Sequence, residues 1–226
     1  MPIRQEKFPN LLTPQLTIAM ARTISPERWK TYQIAAGFRE ELAHHLYLWN
    51  AAVGQSFHFP LQTAEVALRN VIHQAMAQLY GASWTCDPSC RAILRSDGVD
   101  SIMKAESRYV KIHAVAPSTP QVIASLSLGF WVALLNKHYN RTIWSTQMGG
   151  AFPHLKSNET IIHVRRTAKT IQDLRNRIFH QEPLIRHDLS GEYAAILRLI
   201  GWICPEMREW TRRLSSVPKV LRERPR

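Results

Sequence analysis

Between Asn158 and Pro183 apolar residues recur at helical spacing: at about 100° per residue, Ile161, Val164, Ala168, Ile171, Leu174 and Ile178 fall on one stripe. Pro183 cannot continue a helix and closes the segment. A stripe that wide has to be covered, so the chain must bring further helices onto it. The rest of the sequence offers them. No strand alternation of useful length appears, and Phe57-His58-Phe59 is too short to count. The expectation is an all-α protein built as a single helical bundle.

Ser25 reads as an N-cap with Pro26 at the first helical position, opening a helix that runs to about Gly37. A second helix is expected over about Glu40 to Val53, a turn from Gly54 to Pro60, and a third helix from Leu61 to Tyr80 that stops at Gly81. Residues 82–98 contain Asp87-Pro88 and Asp97-Gly98 and read as loop, with one helical turn from Ser89 to Leu94. Helical pattern returns over Val99 to His113 and over Thr119 to Tyr139, with a break or kink at Gly129. The last helices are expected over Asn158 to Gln181 and Ser190 to Leu214, the latter broken at Pro205. This divides the chain into an N-terminal extension (1–24), one helical domain (25–214) and a basic tail (215–226) that should be frayed. The 82–98 loop is the only candidate interior boundary, and apolar stripes on both sides of it favour one continuous bundle.

With 29 Lys+Arg against 17 Asp+Glu, the formal charge is +12, so the surface should attract polyanions. Charge alone leaves RNA, DNA and an anionic membrane surface open. No apolar run approaches the roughly 20 residues needed to span a bilayer, and Met1-Pro2-Ile3-Arg4-Gln5-Glu6 lacks an apolar stretch of signal type. Three cysteines without a disulfide framework suit a reducing compartment, so a cytoplasmic protein is expected. Cys86 and Cys90 are separated by three residues, Cys204 is distant, and no local histidine pair completes a tetrahedral zinc set. There is also no Gly-rich phosphate loop and no acidic cluster suited to paired magnesium ions, so neither metal nor cofactor is expected.

Chemistry concentrates at the end of the stripe. Arg175, Asn176 and His180 lie within two turns of one helix. An arginine fork fits phosphate oxygens, and histidine is the side chain whose unperturbed pKa lies nearest neutrality. Asn176 and His180 are four apart and point away from the stripe, whereas Arg175 points close to it. A charge aimed at a core needs a partner, because an unpaired buried charge costs roughly several kcal/mol. On the helix over residues 61–80, Leu61, Leu68, Ile72, Ala75 and Leu79 face inward, with Glu65 on their flank and Arg69 beside it. Glu65 is therefore the expected partner of Arg175. Arg69-Asn70 reads either as a lining of the same cleft or as a solvated helix end. Trp49, Phe130, Trp131 and Trp202 sit at helical spacing among apolar neighbours and read as core, and Asn50 reads as a partner for nearby backbone.

The Arg175-x4-His180 spacing, with Asn176 after the arginine, resembles the Arg-x4-6-His motif of HEPN-domain ribonucleases. Three further segments resemble the Abi-like (abortive infection) branch of that superfamily, in the same order: Leu46-Tyr47-Leu48-Trp49-Asn50, Ala64-Glu65-Val66-Ala67-Leu68-Arg69-Asn70, and Leu128-Gly129-Phe130-Trp131-Val132-Ala133-Leu134-Leu135 followed by Phe152-Pro153. The similarity covers about Ser25 to Trp202. It implies a HEPN-like helical bundle with additional helices, in a bacterial toxin or phage-defence effector that cleaves RNA as a homodimer. Arg175, Asn176 and His180 would be its catalytic residues, with Glu65, Arg69 and Asn70 in support. Abi-like proteins are associated with structured non-coding RNA, while other HEPN toxins pair with a nucleotidyltransferase that modifies a tyrosine just after the motif histidine. Gln181 and Glu182 stand there instead, which favours RNA as the restraining partner.

Without a metal, RNA can be cut by its own 2′-hydroxyl, given proton transfer and charge stabilisation. One protomer offers one motif histidine, so a two-fold dimer would supply acid and base together. Arg165, Arg166, Lys169 and Arg177, with Arg208, Arg212 and Arg213 on the last helix, form the expected RNA track; the other reading is a solvated face. Two alternatives to a ribonuclease stay open: a non-catalytic RNA-binding module, and a DNA-binding regulator, for which no helix-turn-helix with a polar recognition helix is seen.

Overall fold

The computed structural model describes residues 13–226. The reading of Met1 to Glu6, and the first half of the expected N-terminal extension, lie outside the described residues. The described fold is all-α, with no strand among the described residues. α1 (Pro14–Ile24) starts where the Thr13 hydroxyl accepts the Leu16 N–H at 3.1 Å. A single residue, Ser25, joins it to α2 (Pro26–Ala35) and caps that helix by accepting the Arg28 N–H. Residues 14–24 are therefore helical and pack on α2.

The largest departure from the sequence reading is α3 (Glu40–Tyr80), one helix of 41 residues where two helices and a turn were expected. Its length is roughly 60 Å at 1.5 Å per residue. A proline inside a helix removes one hydrogen bond and costs about 3 kcal/mol. The buried stripe nevertheless runs without interruption through Val53, Phe57, Leu61, Ala64 and Leu68, and Pro60 is itself buried. Each fully buried large apolar side chain contributes about 1.5–3 kcal/mol, so the stripe as a whole outweighs the proline.

α4 (Pro88–Ile93) falls on the helical turn expected inside the 82–98 loop, and α5 (Ser96–His113) begins three residues ahead of its expected start, taking in Asp97-Gly98. Trp84, Cys90 and Leu94 from this stretch are buried, and Trp84 stacks on Phe130 with ring centroids 6.4 Å apart. One continuous core runs from Met20 to Val217, and 82–98 is no boundary. The expected helix from Thr119 to Tyr139 is instead α6 (Thr119–Ser125), α7 (Leu128–Leu134) and a short 3-10 turn (Lys137–Tyr139). The break falls at Leu126-Ser127, where Ser127 caps α7, and not at Gly129. A Cβ at Gly129 would lie 2.9 Å from Gln172 Nε2, the end of a flexible side chain that can swing aside. A π-helical turn (Asn140–Trp144) and α8 (Ser145–Ala151) were not legible from periodicity.

α9 (Ile161–Phe179) carries the stripe, and Ile161, Val164, Ala168, Ile171 and Leu174 are buried as its spacing requires. α10 (Leu189–Ile203) packs on both α9 and α3, forming the centre of the bundle. The chain breaks at Cys204-Pro205, as expected, into α11 (Pro205–Leu214). The tail is not frayed through its length: α12 (Val217–Arg222) packs on α3, with Val217 fully buried and the Trp49 indole donating to the Val220 carbonyl at 2.8 Å. No helix among the described residues is long and apolar enough to cross a membrane.

Candidate functional site at the end of α9

Arg175 lies on the edge of the core. Its Nε is buried without a hydrogen bond, 4.0 Å from Glu65 Oε2 on α3, and each of the two side chains keeps 32% exposure. The guanidinium sits over the Phe179 ring one turn further on, with Cζ 4.1 Å from the ring centroid. Glu65 and Phe179 thus grip the arginine from two sides. Asn176 is half-buried and His180 exposed, so both project from α9 on a face the core does not use.

His180 ends the helix. Its N–H bonds to the Asn176 carbonyl at 2.9 Å, the Gln181 N–H to Ile178 at 3.1 Å, and the Glu182 N–H to Arg177 at 2.9 Å. This reversal places Gln181 in the left-handed region at φ +57°, where glycine is the usual occupant. Arg28 on α2 reaches the His180 carbonyl at 3.5 Å. Beyond it, the Leu184 N–H donates to Asn50 Oδ1 on α3 at 2.6 Å, so Asn50 binds backbone, as its sequence context suggested.

A second charged group sits alongside, and sequence reasoning missed it. Arg177 is 3.7 Å from Glu192 on α10 and 3.9 Å from Glu182, and His187 Nδ1 is 3.9 Å from the same Glu192 oxygen. Glu192 is only 12% exposed, and burial pushes its carboxyl above the usual range against the pull of Arg177. Burial, then Arg177, pushes the His187 imidazole down. Arg177, expected on an RNA track, is therefore committed to closing the loop after the motif. No periodicity marks a contact made across a turn of this kind.

The remaining basic residues separate into two groups. On α9, Arg165 and Arg166 are exposed, while Lys169 pairs with Asp173 at 2.8 Å. On α11, Arg212 and Arg213 both bond Glu209, at 2.8 and 2.6 Å, and hold its carboxyl down to about 2. α11 packs against α10 and α3, so its arginines, Arg208 included, do not share one helix pair with α9. Arg69 donates to Asn70 Oδ1 at 3.3 Å. Asn70 lines an apolar groove with Val66, Met207 and Trp210 on the α11 side of α3, because one residue turns the helix by about 100° away from Glu65 and Arg69. Of the two readings of Arg69-Asn70, cleft lining and solvated helix end, Asn70 follows neither as stated, since it lines this apolar groove. Phe130, Trp131 and Trp202 are buried, as core residues should be.

Comparisons with family models, with curated proteins and with solved structures find no match to this chain. The protein has an all-α fold with a guanidinium, an amide and an imidazole at one helix end.

Proposed function

We propose that the protein is a metal-independent endoribonuclease of HEPN type, acting as a toxin or phage-defence effector. One observation carries the reading: Arg175 is held at the core edge by Glu65, 4.0 Å away, while His180 stands exposed just over one turn later on the same helix. A gripped arginine binds phosphate oxygens in a fixed orientation, and an exposed imidazole is free to exchange protons with the 2′-oxygen or the leaving 5′-oxygen. Asn176 would orient the ribose or the imidazole. The exposed face bearing Asn176 and His180 is the surface a second copy would cover, bringing acid and base to opposite sides of one phosphorus. The proposed partners are RNA, as substrate and as a structured restraining molecule, and a second protomer in the bacterial cytoplasm.

The test is cleavage of RNA in EDTA by purified protein, with 2′,3′-cyclic phosphate ends as product. His180→Ala should abolish cleavage and growth inhibition with RNA affinity retained. A protein that binds RNA equally well, but whose effects are indifferent to His180, is a binding module instead.

A further inference from the structure

We infer that Asn50 is a positioning residue for His180, acting through the backbone of the loop that follows it. This rests on the reading of His180 as the proton-transfer group. Pro183 supplies no N–H, and the turn at Gln181 has already ended the helical hydrogen bonds, so the Leu184 N–H has no regular partner. Leu184 and Ile185 are 1% and 2% exposed, which denies that N–H water as well. The Asn50 carboxamide oxygen meets it at 2.6 Å, across 134 positions of sequence.

Asn50 is therefore the point at which α3 fixes the chain just after the motif. Gly54, one turn along the same helix, faces Ile178, and a Cβ there would sit in ordinary van der Waals contact, 3.6 Å from Ile178 Cγ2. Asn50 and Gly54 thus face the chain on either side of His180. The backbone bonds of His180, Gln181 and Glu182, at 2.9–3.1 Å, hold the turn together as one unit with the helix end, whereas the other polar ties from that unit to neighbouring elements are looser: Arg28 at 3.5 Å on an exposed carbonyl, and His187 to Glu192 at 3.9 Å. Releasing the Leu184 N–H leaves a buried donor unpaired, and the loop relieves that by moving out towards water. His180, four residues earlier at the helix end, moves with it. Displacing a reacting group by about 1 Å is enough to cost on the order of 100-fold in rate.

The experiment compares the full-length protein with Asn50→Ala and Asn50→Asp, the latter keeping an acceptor oxygen. For Asn50→Ala we expect fast exchange of the Leu184 amide, a shifted or broadened His180 ring signal by NMR, and RNA affinity within about twofold. Single-turnover cleavage should fall about 10–100-fold. Asn50→Asp should restore most of the rate and the ring signal. Should Asn50→Ala not fold, Asn50→Ser, whose shorter hydroxyl does not reach the N–H, carries the same expectation. An unchanged ring signal and rate in Asn50→Ala overturns the inference. So does a loss of rate matched by an equal loss of affinity, or one that Asn50→Asp fails to restore. If the wild-type protein cuts no RNA, the ribonuclease reading fails, and the His180 ring signal alone then decides whether Asn50 positions it.

Discussion

α9 and α11 flank α10 in the chain, and both are amphipathic and rich in arginine, yet they use that arginine differently. On α9, Arg175 reaches Glu65 on α3, and Arg177 reaches Glu182 in the loop and Glu192 on α10. On α11, Arg212 and Arg213 share Glu209, three and four residues back on their own helix. A local pair between exposed side chains orders little beyond the helix that makes it and is screened by salt. A pair that crosses between elements fixes where a charge sits relative to the rest of the fold. The contrast separates arginines that are positioned from arginines that are merely solvated, which composition cannot do.

The contrast breaks first, and most visibly, on activity. His180→Ala and Arg175→Ala should each lower RNA cleavage by about 100-fold or more, whereas Arg212→Ala and Arg213→Ala should change it by no more than about twofold in the same single-turnover assay. Equal losses on the two helices would refute the distinction. Glu65→Gln should reduce cleavage while leaving RNA affinity in place; an effect on melting temperature alone would reduce Glu65 to a structural partner.

Stability gives the next largest effect. Arg177→Ala leaves Glu192 nearly buried without its cation and should cost about 1–3 kcal/mol in chemical denaturation. Glu209→Ala, on the exposed face of α11, should leave the denaturation midpoint where it is. The prediction fails if the two substitutions are equivalent.

A pH experiment sharpens the picture on α3. Burial, and secondarily the charge of Arg69, push the His73 imidazole below its ordinary 6.5. Its Nδ1 accepts the Trp84 indole N–H at 3.0 Å and cannot hold a proton while doing so. The stability this contributes is present above 6.5 and is lost as pH falls through the lowered value. The melting temperature should therefore drop between pH 7 and pH 5, and His73→Gln, which keeps an acceptor, should flatten that drop. The smallest expected effect is a gain: Gln181→Gly relieves a left-handed residue at φ +57° and should stabilise the fold by about 0.5–1 kcal/mol.

The parts of this arrangement that were legible in the sequence are those one helix can express by itself. The α9 stripe and the places of Glu65 and Arg175 on the flanks of their own stripes follow from turning residues about one helix axis at a time, and the Ser25 cap and the break at Pro205 from local backbone chemistry. Pro60 and Gly54 misled, because their local preference for a turn is overridden by a buried stripe that only the whole bundle makes necessary. Glu192, His187 and the Asn50 contact were out of reach for a related reason. Each depends on how a loop folds back, and no spacing along one helix encodes that. Asn70 was read together with Arg69, yet one helical step on a cylinder is enough to turn it to the groove beside α11.

The bond from Trp49 to the Val220 carbonyl spans 171 residues, and its neighbour Asn50 bonds Leu184 across 134. Two consecutive residues near the start of the longest helix are thus completed only by segments made more than a hundred residues later. During synthesis, the amino-terminal half of α3 emerges long before either partner does. Long-range closures of this kind come late in folding, since the chain entropy of the intervening loop is lost before the contact is gained. The order of events follows from that delay. The loop bearing His180 cannot be locked until Leu184 is made, nor can the indole of Trp49 be satisfied until Val220 is, so the amino-terminal part of α3 waits with both groups unpaired while more than a hundred further residues are added.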